Sequence, residues 1–124
     1  MNTEMEKVKM LLDYTKFHLG LYLTLLSAII AFGSTPWGPP HGSASAKALF
    51  VSVVLLAFAG VCGGVVAATC VGEDDYTVLM KKKIGPYNSQ VFTCERWAHC
   101  EHTFFWVAMI VMLLALGPKL VCGC

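Results

Sequence analysis

Three apolar stretches, separated by polar segments of unequal length, organise this chain. They run over 17–33, 48–71 and 103–121, and none shows the polar–apolar alternation of an element with one wet face. No Lys, Arg, Asp or Glu interrupts the first stretch after Lys16, the second after Lys47 or the third before Lys119. Crossing a bilayer core takes about 20 helical residues, and within hydrocarbon a helix satisfies its own backbone N–H and C=O groups. The pattern therefore predicts an all-α integral membrane protein with three transmembrane helices.

The polar segments complete the layout of a single membrane domain, 1–124. Residues 1–16 read as a short amphipathic cytoplasmic helix with Met5, Val8 and Leu12 on one face, continuing into the first span. Residues 34–47 form an outer loop, because Pro36, Pro39, Pro40, Gly38 and Gly42 break regular structure and Trp37 suits the headgroup level. Residues 72–102 form a cytoplasmic loop. Within it Glu73-Asp74-Asp75 suits a helix start over 76–83, residues 84–88 make a turn, and from Ser89 a helical pattern resumes that is continuous with the third span. Residues 122–124 are an outer tail.

Composition agrees: 124 residues, 56% hydrophobic and only 14% charged, allow one small domain. The distribution of positive charge sets an orientation. Lys7, Lys9 and Lys16 precede the first span, and Lys81, Lys82, Lys83 and Arg96 lie between the second and third. The other two connections carry only Lys47 and Lys119. Lys- and Arg-rich segments stay inside, which predicts an inner N-terminus and an outer C-terminus, with a bacterial inner membrane as the expected location. Glu4, Glu6 and Asp13 argue against a cleaved secretory signal. The six cysteines suggest no disulfide framework: Cys70, Cys94 and Cys100 fall on the reducing side, and a Cys122–Cys124 bridge would close a strained ring.

Two side-chain patterns carry candidate function. In the second span Ala57, Gly60, Gly63, Gly64 and Ala67 share one helical face, and Gly60, Gly64 and Ala68 repeat every four residues. Small residues let helix backbones approach closely in lipid. The face is read as packing against the first and third spans, as a self-association surface, or as the lining of a pore. Farther along, Glu95, His99, His102 and Trp106 make one narrow helical stripe, and Tyr14, His18 and Tyr22 make another. Both stripes fall at the inner membrane boundary, so they predict a polar, aromatic seam between spans one and three. Amphipathic residues favour that depth without any ligand. The alternatives are a metal held by His18, Glu95, His99 and His102, a haem between two histidines, or a proton-relay or substrate site. No cofactor is otherwise implied.

Lys81-Lys82-Lys83 suits weak attraction to anionic lipid but is too short for nucleic acid. No phosphate loop or nucleophile motif is present, so no enzymatic activity is expected. No acidic residue falls in mid-membrane by this reading. The expected function is a membrane-embedded component working as a homo-oligomer, pore-like or membrane-perturbing. The alternative is an anchor or accessory subunit of a larger membrane complex with a metal or haem at a His18/His102 seam. In size and span number the chain resembles three-span phage holins, from which the inner N-terminus and the tail from Leu120 to Cys124 depart. In length and orientation it is similar to the three-span anchors of succinate dehydrogenase, whose ligand and quinone motifs do not map onto these residues.

Overall fold

The computed structural model describes residues 3–121, apart from the side chains of Asn88 and residues 118–121; the 122–124 tail and its cysteine pair lie outside the described residues. The chain is mostly helical: α1 spans Thr3–Gly33, α2 Ala44–Cys70, α3 Tyr76–Lys81 and α4 Cys94–Val121. Helices α1, α2 and α4 are each long and apolar enough to cross a membrane, which fits a membrane location. Their ends follow local chemistry. Ser43 caps α2, its Oγ accepting from the Ala46 N–H at 3.1 Å, just after Gly42 turns the chain with φ of 77°. Asp75 caps α3, accepting from the N–H groups of Thr77 and Val78.

Two details differ from the layout expected of the sequence. The helix expected from Ser89 into the third span begins at Cys94, so residues 94–102 are its first turns as expected but residues 89–93 are not helical. What remains of the 72–102 segment is ordered. Strand β1 (Lys83–Ile84) pairs antiparallel with β2 (Phe92–Thr93), with Lys83 opposite Thr93 and a single helical turn, Pro86–Asn88, between them. Strands this short leave no alternating pattern to read. The Trp97 indole N–H donates to the Ile84 carbonyl at 2.8 Å, pinning the hairpin to α4. Leu79 and Ile84 are buried with Val8, Cys70 and Cys94, so α3 and the hairpin close one end of the bundle.

Packing follows a seven-residue period. The buried residues of α1 are Val8, Thr15, Tyr22 and Ile29. On α4 the corresponding set is Cys94, Glu101, Ala108 and Ala115. Helix α2, which packs against both, buries Leu49, Ser52, Leu56, Ala59, Gly63, Val66 and Cys70 in alternating steps of three and four, with Cys62 buried beside that row. This is the geometry of knobs-into-holes packing, in which a strict seven-residue repeat keeps one seam facing its partner. Helices α1 and α4 meet each other mainly through long side chains laid across α2.

A buried polar layer as candidate functional site

One layer of this repeat holds an ionisable group, whereas the buried hydroxyls of Thr15 and Ser52 bond carbonyls of their own helices. Glu101 is 1% exposed, and the Tyr22 hydroxyl, equally buried, donates to its Oε1 at 2.8 Å. The third member is Gly63 on α2. A Cβ there would lie 3.2 Å from both Cδ and Oε1 of Glu101, so the carboxyl group fills the space that glycine leaves. Gly63 stands past the midpoint of the 48–71 stretch by about 5 Å of helix rise. The carboxyl therefore lies well inside the apolar zone, not at its edge.

From Glu101 the polar groups lead toward the α3 end. His18 Nδ1 is buried 3.5 Å from the same Oε1 and makes no hydrogen bond. The His18 ring stands edge-on to Tyr14 at 4.0 Å and to His102 at 5.6 Å between centroids, and Phe105 covers it on the α4 side. His102 Nδ1 lies 2.7 Å from the Ala98 carbonyl. A carbonyl only accepts, so Nδ1 carries the proton, and in the neutral ring Nε2 accepts from the Tyr14 hydroxyl at 2.8 Å. Tyr14 is 46% exposed and forms the outer end of the series. Tyr14 and Tyr22 are eight residues apart, about 12 Å of rise. Beyond Tyr22 the seam is built from Ile29, Leu56, Ala108 and Ala115, and the buried Ser52 hydroxyl donates to the Ala48 carbonyl of its own helix.

The seam predicted between the first and third spans thus contains Tyr14, His18, Tyr22 and His102, but its α4 side is turned by one position. Glu95 and His99 are exposed, 3.9 Å apart on the outer surface, and Trp106 is 62% exposed. They do not reach His18, so the metal set His18, Glu95, His99 and His102 is not assembled. Among the described residues no three His, Cys, Asp or Glu side chains converge on one point. Haem between these two histidines does not fit either: the His18 and His102 rings stand edge to face with centroids 5.6 Å apart, which leaves no room for a porphyrin between them.

The residue that sequence reasoning missed is Glu101, assigned to a loop because the apolar stretch was started at Thr103. Its signal was the seven-residue spacing of Cys94, Glu101, Ala108 and Ala115. The small-residue face of α2 needs a parallel correction. Of Ala57, Gly60, Gly63, Gly64 and Ala67, only Gly63 sits on the buried seam. Ala57 is exposed and Ala67 half-buried, while a Cβ at Gly60 or Gly64 would meet nothing within 4 Å. Packing within the chain uses the neighbouring face instead.

No protein-family model, curated protein or solved structure matches this chain.

Proposed function

We propose that this protein is an integral membrane subunit in which Glu101 binds and releases a proton, reached from one side of the membrane through His18, His102 and Tyr14. The observation that carries this reading is a carboxyl group, 1% exposed, held by Tyr22 and shielded by three helices within the apolar zone. An ionisable residue at such a depth is costly, and membrane proteins retain it at ion, proton or ligand sites. The groups facing it are Tyr22 and His18 from α1 and Gly63 with the buried Cys62 thiol from α2, and Phe105 lies on its own helix beside them. A proton reaching His18 Nδ1 has Oε1 as its nearest carboxylate oxygen, and the unpaired state of that nitrogen leaves it free to carry one. The series ends at Tyr22. A path across the whole membrane would therefore need further copies or a partner subunit to supply its second half.

The test is the infrared spectrum of the purified protein in lipid as pH is lowered. A protonated-carboxyl band that grows in the wild type, is missing in Glu101→Gln and moves in Tyr22→Phe is the expected result. The same pH-dependent band in Glu101→Gln would assign it elsewhere and end the proposal.

A second reading rests on the outward face of α2. Gly60 and Gly64 are recessed, unused within the chain and spaced for close helix approach, which supports self-association. The detergent-solubilised particle is then expected to be a multimer that falls to a monomer in Gly60→Leu/Gly64→Leu. An unchanged particle mass would remove this face from consideration as a subunit contact.

A further inference from the structure

We propose that the groove between the α3–α4 hairpin and the outer surface of α2 binds one anionic glycerophospholipid, its phosphate at Lys82 and Lys83 and an acyl chain along Gly64 and Ala68. The groove has a volume of about 790 Å³ and is open on one side. Its wall on α2 runs from Val61 through Gly64, Val65 and Ala68 to Thr69, just before the helix ends at Cys70. That length is about 12 Å of helix rise, most of the depth of one leaflet, which is half of the roughly 30 Å hydrocarbon thickness. Gly64 leaves the helix surface recessed, with open space where a side chain would stand.

The other end of the groove is polar. Lys82, Lys83, Ser89 and Gln90 line it where α2 leaves the apolar zone. Lys82 is held at 3.0 Å by Glu73, whereas Lys83 pairs with no acid among the described residues. Tyr87 stands fully exposed on the rim, placing an amphipathic ring at headgroup level. A wall that is apolar over one leaflet and basic at its mouth complements a lipid with two properties, a hydrocarbon tail and a negative head. A free phosphate would use only the mouth. A second protein helix would leave the lysines without a counter-charge. Lys81 lies beside this site in sequence yet does not line it, which separates a bound lipid from general attraction to a charged surface. None of the groove's residues belongs to the proton site, but Gly64 also lies on the outward face of α2, where a bound lipid and a second copy of the chain exclude one another.

Native mass spectrometry of the full chain, offered phosphatidylglycerol or phosphatidylcholine of identical acyl chains, tests it. One phosphatidylglycerol retained per chain, in clear excess over phosphatidylcholine, is expected. Lys83→Gln should lower that retention about fivefold, the effect of one interfacial charge, while Lys81→Gln leaves it unchanged. Ala68→Leu, on an exposed position that a larger side chain does not unfold, should lower retention of both lipids. Equal retention of the two lipids, or equal effects of the Lys81 and Lys83 substitutions, would overturn the proposal. So would displacement of the lipid by glycerol phosphate. If Ala68→Leu instead dissociated a multimer and left lipid retention intact, the groove would belong to a second copy of the chain.

Discussion

Replacing Glu101 with alanine should destabilise the helix bundle by about 3 kcal/mol, the largest single loss expected among its polar residues. Two effects add. The Tyr22 hydroxyl loses its acceptor in a site closed to water, and a buried donor left unsatisfied costs about 1–3 kcal/mol. The truncated side chain also leaves a void beside Gly63, which itself fills no space, and core truncations add a cavity term. Interhelical hydrogen bonds in membranes average only about 0.6 kcal/mol, so the void and the orphaned hydroxyl outweigh the bond itself. Glu101→Gln keeps the shape and an acceptor oxygen, and should cost about 1 kcal/mol. Adding Tyr22→Phe to Glu101→Ala should change little, because the hydroxyl it removes already lacks a partner; the pair is then strongly non-additive. Unfolding by SDS in bicelles reads these three variants together with Tyr22→Phe alone, which completes the cycle. If Glu101→Ala unfolds within about 0.5 kcal/mol of the wild type, a range typical of surface substitutions, the layer does not hold the helices together.

The second large effect is expected from Gly63→Leu. A Cβ at Gly63 already meets Cδ, Oε1 and Oε2 of Glu101 at 3.2–3.4 Å, and three further carbons have no space between α2 and α4. Overpacking of this kind costs about 1–3 kcal/mol and occasionally more. Here the neighbour cannot swing away without breaking its bond to Tyr22, so about 3 kcal/mol is expected. Gly63→Ala is the finer test. Alanine gains about 1 kcal/mol of helix propensity over glycine, and the carboxyl must yield a few tenths of an ångström to accept it. Gly60→Leu and Gly64→Leu, by contrast, should not destabilise the monomer, since a Cβ at either position enters open space. Three glycines within five positions of one helix should thus separate into one that is indispensable and two that are dispensable for folding. Similar losses at all three would mean that α2 presents a different face to its neighbours.

The three long helices were legible because uninterrupted apolar sequence is an unambiguous signal, whatever packs against it. Which face of α2 is buried was not, because the helix is apolar all round and lipid accepts any apolar face. Small residues drew attention to Gly60 and Gly64, yet close approach occurs at Gly63, where it serves a side chain and not a second backbone. The His18–His102 neighbourhood could be read from depth and spacing. Glu101 could not be read so easily, because a charge beside an apolar stretch looks like the end of a span. Only the matching sevens on α1 and α4 place it inside. The Ile84–Trp97 tie has no sequence pattern at all: it depends on a hairpin of two-residue strands.

The seven-residue repeat has a weakness that its polar layer corrects. Helices built on identical heptads can slide past one another by one repeat, about 10 Å, and still present apolar knobs to apolar holes. Slid by that step, Glu101 would come opposite Leu56 or Cys70 rather than Gly63, and Tyr22 would face no acceptor. A carboxyl that fits beside one glycine alone acts as an index mark, admitting a single axial alignment from several that hydrocarbon packing would tolerate.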